Sequence, residues 1–206
     1  MNRRWTIILP DRRFDIALLI FILVTLPGCQ KETETNELLL AKPPNGWKRI
    51  YQINSQESRL TDYIPEDEDS INWISKISFE SFANFDEADP IEVTLDEARE
   101  DRKNCSFVQH FNLFSGTENN YPSSIRLFMC GKHNITEKGE VKMIKAIRGE
   151  KYFYVIRLNK RIPAFSLNQA QFDKSEIAAW ANYMKNIRLC HITNPEHPCK
   201  RPEDNR

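Results

Sequence analysis

The sequence lacks a net charge, an internal repeat and a phosphate-binding loop. Its 29 Lys and Arg residues balance its 29 Asp and Glu residues. There is therefore no basic field to attract nucleic acid, and nucleic acid is not a predicted partner. Asp86-Glu87-Ala88-Asp89 spells a helicase motif, but no Gly-x-x-x-x-Gly-Lys-Ser/Thr loop accompanies it. These four residues are therefore predicted to form an acidic loop.

A long hydrophobic run is also missing. The apolar stretch from Ile16 to Leu26 is about eleven residues long, whereas a membrane-spanning helix needs about twenty. It is preceded by four arginines, namely Arg3, Arg4, Arg12 and Arg13. Length and flanking charge together predict a signal peptide over residues 1–28. An uncleaved signal anchor remains an alternative.

The apolar stretch ends in Leu26-Pro27-Gly28-Cys29, which resembles the lipobox of bacterial lipoproteins. The resemblance implies that Cys29 is acylated and becomes the mature N-terminus. Two or more acyl chains anchor a protein stably, because each buried methylene contributes about 0.8 kcal/mol. We expect a domain anchored by lipid to the cell membrane or the outer membrane and facing the periplasm. A plain secretory signal is the other alternative.

Five cysteines occur in the chain. If lipid modifies Cys29, an even number remains, and an even number in an exported protein predicts disulfides. Three pairings are possible, and we favour Cys105–Cys130 and Cys190–Cys199. Two other kinds of site were considered. Zinc ligation would use Cys190, His191, His197 and Cys199, and a cysteine nucleophile would use Cys105 with His110.

Composition divides the chain into four parts. The leader is followed by a lipidated N-terminus and flexible tether at 29–45, rich in Lys, Glu, Thr and Asn. A single domain follows at 46–192, and its length is sufficient for a sizeable core. Residues 193–206 are predicted to be a disulfide-closed loop and a mobile tail.

The hydrophobic pattern predicts mostly strands within this domain. The predicted strands are Trp47–Ile53, Leu60–Ile64, Ile71–Phe82, Ser106–Phe114, Ser124–Cys130, Glu140–Ile147 and Lys151–Leu158. Capping-box signatures at Thr94–Glu97 and Asp173–Glu176 predict the starts of two helices. The sequence therefore predicts an α+β fold, in which two helices pack on a largely antiparallel sheet. The element order is loosely similar to the PsbP/Mog1-like sandwich.

The domain also resembles a group of uncharacterised proteobacterial exported proteins. The resemblance rests on Trp73, Cys105, Cys130 and the hairpin from Glu140 to Gly149. It implies an exported protein with disulfides and implies no activity.

Three further groups of residues are candidate sites. The acidic run Glu66–Asp69 is more typical of a solvated turn than of a calcium loop, because it lacks the Asp-x-Asp-x-Asp-Gly spacing. His133 is expected in an exposed loop. The aromatic residues Tyr152–Tyr154 are expected to pack in a hairpin, and a ligand-facing surface is the alternative.

No catalytic, cofactor-binding or metal-binding residue is predicted. The favoured function is a non-enzymatic cell-envelope lipoprotein that binds a protein partner, as an interaction or assembly module. The second hypothesis is a module that binds a small ligand or lipid, which requires a concave pocket. The third is an enzyme acting on envelope polymers, because catalytic residues from distant strands leave no local motif.

Overall fold

A computed structural model describes residues 36–83, 85, 87–167 and 173–199. All of these residues belong to one compact unit, Glu34–Arg206. The predicted lipidation site Cys29, residue Asp86 of the acidic tetrad and the last seven residues of the predicted tail, 200–206, lie outside the described residues. Within the described residues, no helix combines the length and the hydropathy needed to span a bilayer.

The described residues form two helices and two antiparallel sheets. In chain order the elements are β1 (Glu37–Leu40), β2 (Trp47–Asn54), β3 (Ser58–Pro65), β4 (Ser75–Ala83), α1 (Pro90–Asn104), β5 (Val108–Glu118), β6 (Tyr121–Cys130), β7 (Gly139–Arg148), β8 (Tyr152–Ile162), α2 (Lys174–Asn186) and β9 (Arg188–His191).

The main sheet has seven strands in the order β2-β3-β4-β8-β7-β6-β5, and β1 pairs with β9 in a separate ribbon. Every pairing is antiparallel. The structure confirms the predicted α+β class, while the likeness to the PsbP/Mog1 sandwich stays a prediction.

Successive side chains of a strand point to opposite faces of the sheet, so each helix covers a different face. On the α2 face, Ile125, Met143 and Ile156 pack in one core cluster with Met184 of α2 and Leu189 of β9. On the α1 face, a smaller cluster contains Phe128, Ile144 and Val155 with Ala98 of α1. The ribbon of β1 and β9 therefore shares the α2 face with α2.

Helix α1 begins earlier than the capping box at Thr94–Glu97 predicts. Its N-cap is Asp89, whose side chain accepts a hydrogen bond from the backbone N–H of Ile91, and Pro90 occupies the first helical position. Proline suits this position because its missing N–H would be unpaired there in any case. Thr94 is instead fully buried inside the helix, so the predicted helix start is wrong by one turn.

Helix α2 begins where the sequence predicts. Asp173 is its N-cap and accepts a hydrogen bond from the backbone N–H of Ser175 at 2.8 Å. This interaction satisfies one of the N–H groups that lack a partner within the first helical turn.

The predicted tether is wrong for residues 37–40, which form β1. Leu38 pairs with Cys190 and Leu39 with Leu189 in the β1–β9 ribbon. Leu39 also packs against the core on the α2 face. A polar composition predicted flexibility, but pairing with β9 and the packing of Leu39 against the core order this strand.

Both favoured disulfides are present. Cys105–Cys130 joins the end of α1 to the end of β6, and Cys190–Cys199 closes the loop after β9. Each bond connects a helix or ribbon to a neighbouring segment, and disulfides of this kind typically stabilise a fold by about 2–4 kcal/mol.

Candidate functional site

A cleft of about 250 Å³ lies on the α2 face of the sheet, beside the N-terminal strand β1. Strands β3, β4 and β8 form its floor, and β1 forms its wall. The side chains that the following argument uses are Leu38, Arg59, Thr61, Ser81, Tyr152 and Tyr154.

The floor of the cleft follows from strand register. Arg59 pairs with Ser81 across β3 and β4, and Ser81 pairs with Tyr154 across β4 and β8. Directly paired residues point to the same face of a sheet. A guanidinium, a serine hydroxyl and a tyrosine ring therefore lie in one row across three adjacent strands.

The wall of the cleft is held by Glu37, the first residue of β1. Its buried carboxylate accepts hydrogen bonds from the backbone N–H groups of Glu150 (2.5 Å) and Lys151 (3.2 Å). A Cβ atom on Gly149 would lie only 2.6 Å from the Glu37 carboxylate. Glycine at 149 therefore allows the β7–β8 turn to bind Glu37 and to fix β1 beside the sheet.

Arg59 is the positively charged side chain of the cleft. Its side chain is exposed, its guanidinium lies 5.9 Å from the centre of the Tyr152 ring, and within the described residues it forms no ion pair. Two acidic residues also line the cleft. The Glu37 carboxylate accepts the turn N–H groups, whereas the Glu80 side chain lies on the α1 face and pairs with Arg157. The cleft therefore contains the positive charge of Arg59 and, at the β1 wall, the negative charge of Glu37, which the turn N–H groups stabilise without neutralising it.

Tyr154 adds a hydroxyl that stays protonated. Burial, and then the nearby carboxylate of Glu37, raise the pKa of Tyr154 above its ordinary value. The Tyr152 and Tyr154 rings lie 6.3 Å apart. Both line the cleft, whereas Phe153 between them points to the α1 face and is buried in its cluster. Phe153 thus packs in the core on one face of the sheet, while Tyr152 and Tyr154 line the cleft on the other.

A network of charges holds α1 on the opposite face. Arg157 of β8 donates to Glu97 of α1 at 2.9 Å and also pairs with Glu80, while Lys142 of β7 donates to Asp101 at 2.8 Å. Burial disfavours the Glu97 carboxylate, but Arg157 and Lys142 outweigh burial and hold the pKa of Glu97 below its ordinary value. These charges are mutually paired, which suits a structural role.

A single buried lysine holds the end of α2. The Lys145 side chain is 0% exposed, and its Nζ donates to the carbonyl oxygens of Met184 (2.9 Å) and Ile187 (2.7 Å) and pairs with Glu118. Burial lowers the pKa of Lys145, and Glu118 opposes the change. Lys145 thereby satisfies carbonyl groups that the last turn of a helix leaves without partners.

The cysteine nucleophile hypothesis is wrong. Cys105 is bonded to Cys130 and therefore has no thiol. His110 lies instead beside Arg126, with 3.2 Å between its Nδ1 and the Arg126 Nη1. Burial, and then the charge of Arg126, lower the pKa of His110.

Cys190 and Cys199 form a disulfide, so neither has a thiolate that could bind zinc as the zinc hypothesis requires. The His191 Nδ1 lies 3.0 Å from the backbone N of Asn194, and the His197 ring stacks on Tyr121 with 4.0 Å between ring centres. In the described part of the chain, no group of three or more His, Cys, Asp and Glu side chains is arranged to hold a metal ion.

The acidic run at 66–69 forms a turn. Asp69 accepts from the backbone N–H groups of Ile71 (2.7 Å) and Asn72 (3.1 Å), and Glu68 accepts from Ile74 (2.6 Å). These N–H groups lower the pKa of Asp69. His133 is half-buried instead of exposed. It forms an isolated antiparallel bridge with Cys105 and accepts from the backbone N–H of Ile135 at 3.2 Å.

The two edges of the main sheet differ in charge. Edge strand β2 carries Lys48 and Arg49, which are typical of edges protected against pairing with another chain. Edge strand β5 has no Asp, Glu, Lys or Arg from Val108 to Thr117. It also exposes Phe111 and Leu113, at 46% and 40%. The β5 edge is therefore long, uncharged and partly apolar.

Sequence reasoning missed the cleft because its residues come from four strands far apart in the chain. The alternation at Tyr152-Phe153-Tyr154 was the local signal, since it places two tyrosines on the same face. Arg59 and Ser81 join them only through the pairing of β3, β4 and β8.

Comparison with known proteins identifies no family. No protein-family model matches the chain, and no curated protein matches it either. Among solved structures the chain aligns with a crystal structure described as LpqN, involved in cell envelope biogenesis of Mycobacterium tuberculosis. The TM-score is 0.41 at 13% sequence identity, and the alignment covers 74% of this chain and 81% of that chain. A likeness at this level supports no conclusion about fold or role.

Proposed function

We propose that this protein is a non-enzymatic lipoprotein of the cell envelope that binds an extended segment of a partner protein at the β5 edge. The observation that carries the proposal is the uncharged β5 edge, with Phe111 and Leu113 exposed. An extended peptide that adds to such an edge gains main-chain hydrogen bonds, and alternate side chains supply specificity. Because β5 carries no charge up to Thr117, the matching partner segment is uncharged and apolar at alternate positions.

The lipid anchor rests on Cys29 and the leader before it. Disulfides persist in oxidising compartments such as the bacterial periplasm, and the bonds at Cys105–Cys130 and Cys190–Cys199 fit that location. The domain would then be held at the surface of the cell membrane or outer membrane, facing the periplasm. Replacing Cys29→Ala should abolish acyl labelling and membrane retention, and a variant that still fractionates with membranes would contradict the anchor.

The partner site is tested by photo-crosslinking in intact envelopes. A benzophenone amino acid replaces Leu113 on β5 or, as the matched control, Ile53 on β2, whose exposures are 40% and 42%. We expect a crosslinked product from position 113 and none from position 53. A second substitution, Phe111→Lys, should remove the product because it places a charge on the β5 edge.

Two results would overturn the partner site. Equal crosslinking from positions 113 and 53 would show that the β5 edge has no special role. A product of twice the mass of the chain would assign the edge to a second copy of this protein instead of a different partner.

A second candidate function is the binding of a small ligand or lipid, and the cleft beside β1 favours it. The cleft is concave, lined by polar and apolar side chains, and carries the positive charge of Arg59. The two functions use different surfaces, because the cleft involves β1, β3, β4 and β8, while the proposed partner edge is β5.

A further inference from the structure

We propose that the cleft beside β1 binds the anionic end of an amphiphile, namely a phosphate group attached to a short apolar segment. The cleft combines one guanidinium, hydroxyl groups and an exposed leucine in a single concave surface.

Arg59 supplies the recognition of charge. A guanidinium presents a planar fork of donors that matches the oxygen atoms of a phosphate. Arg157, on the opposite face of the sheet, is neutralised by Glu97 and Glu80. Arg59 instead faces the cleft without an ion-pair partner among the described residues. An anion entering the cleft therefore gains a charge-assisted contact without breaking an existing one.

Hydroxyl groups on the floor complete a donor set. Thr61 and Ser81 come from β3 and β4 and line the same cleft as Arg59, and Tyr154 stands beside Ser81 in the register of β4 and β8. A tyrosine hydroxyl is protonated at neutral pH, so Tyr154 can act as a donor. The row of Arg59, Ser81 and Tyr154 thus places three donors on adjacent strands of the cleft floor.

The apolar part of the ligand would contact Leu38 and Phe79. Leu38 of β1 is 44% exposed although it lines the cleft. The volume of about 250 Å³ is at the lower limit of ligand pockets, which usually measure about 300–1,000 Å³. The cleft therefore has room for a phosphate and a few methylene groups, and not for a complete lipid.

The short segment between Cys29 and β1 would hold this cleft near the membrane if Cys29 is acylated. Only this part of the proposal rests on the proposed lipid anchor. The chain from Cys29 to Glu37 spans at most about 29 Å when fully extended. Glu37 itself lines the cleft. Lipid headgroups would then be within reach of Arg59, which makes a phospholipid headgroup one source of the ligand and a soluble phosphate ester the other.

The test is a titration of the full chain, held in phosphatidylcholine nanodiscs, with hexyl phosphate. Fluorotyrosine labelling and fluorine NMR report on Tyr152 and Tyr154. Inorganic phosphate and 1-hexanol are the comparison probes. We expect hexyl phosphate to shift the two tyrosine signals saturably, with a dissociation constant at least about tenfold below that of either comparison probe.

Matched arginine variants assign the effect to the cleft. Arg59→Gln should weaken hexyl phosphate binding by about tenfold or more. Arg49→Gln removes the same charge from the same face of the sheet, at an exposed position outside the cleft. It should leave the affinity within about twofold. Arg59→Lys should give an intermediate loss, because the charge remains while the planar fork is absent.

Three results would overturn the proposal. These are equal losses in Arg59→Gln and Arg49→Gln, equal binding of inorganic phosphate and hexyl phosphate, or no saturable shift.

A shift in nanodiscs that contain phosphatidylglycerol, without added hexyl phosphate, would support a lipid headgroup as the source. A shift only with hexyl phosphate would support a soluble ester. Acyl labelling of Cys29 and crosslinking at β5 are separate measurements, so failure of these titrations is distinguishable from failure of the proposed function.

Discussion

Helices α1 and α2 carry the same capping-box signature in the sequence, yet only α2 begins at its signature. Asp173 caps α2, whereas α1 begins at Asp89, one turn before Thr94. In α1 the signature residues have other roles. Thr94 is buried 3.3 Å from the Ser124 hydroxyl, and Glu97 binds Arg157. A motif four residues long therefore identifies a helix more reliably than it identifies the first residue of that helix.

The two helices also differ in how the sheet holds them. Beneath α1, the sheet provides several charges that pair with the side chains of Glu97 and Asp101. Beneath α2, the face is mostly apolar, and one lysine binds backbone carbonyl groups at the helix end. The sheet thus holds α1 through partly buried charged side chains. It holds α2 through backbone carbonyl groups at the helix end and one partly exposed ion pair between Lys160 and Glu176.

The largest effect is expected at Lys145. Lys145→Met leaves two carbonyl groups at the end of α2 and the Glu118 carboxylate without their partner, which should lower the free energy of unfolding by about 3 kcal/mol. Urea unfolding at neutral pH measures this loss of unfolding free energy. The control is Lys160→Met, which removes a half-exposed ion pair with Glu176 and should cost at most about 1 kcal/mol. Similar losses in both variants would contradict the role of Lys145.

The second-largest loss of stability is expected when Glu97 is changed. Glu97→Gln keeps a side chain that suits a capping box but removes the charge that binds Arg157 and Lys142, so we expect a loss of about 2 kcal/mol. Glu176→Gln in α2 is the matched control and should cost less than about 1 kcal/mol. If Glu97→Gln unfolds at the same urea concentration as the wild type, the charge network does not hold α1.

Glu97 also predicts a dependence of stability on pH. Its pKa in the folded protein lies below the ordinary value of 4.5, so the unfolded chain binds the proton first as pH falls. The stabilisation from Glu97 is therefore fully present above pH 4.5 and is lost as pH falls through the folded pKa. The difference in unfolding free energy between wild type and Glu97→Gln should shrink over this range. If the difference in unfolding free energy between the two proteins stays constant down to about pH 3, the lowered pKa of Glu97 is contradicted.

The smallest effect concerns the helix starts themselves. Asp89→Ala and Asp173→Ala should each cost about 1 kcal/mol, because each removes the side chain that caps a first turn. Thermal unfolding monitored by circular dichroism measures both. If α1 began at Thr94, Asp89→Ala would have no effect, so equal losses in the two variants would establish the observed start of α1.

On the α2 face, the elements whose hydrophobic pattern lies within one short stretch of sequence could be predicted. Ile177, Trp180, Ala181 and Met184 recur at helical spacing and all pack in one cluster. By contrast, β1 was assigned to the tether, because a strand of four residues has no periodicity to detect and is ordered by pairing with β9. Lys145 was equally hidden, since a lysine inside a strand pattern usually indicates exposure.

The sequence by itself determined the α+β class, the strand-rich pattern, the start of α2 and the favoured cysteine pairs. These depend on periodicity, capping chemistry and an even count of cysteines, which are properties of short stretches. Only the tertiary structure decided where α1 starts, which charges support it, that β1 joins the domain, and that Arg59 and Tyr154 meet in one cleft. Those features depend on strand register, which brings together residues far apart in the chain.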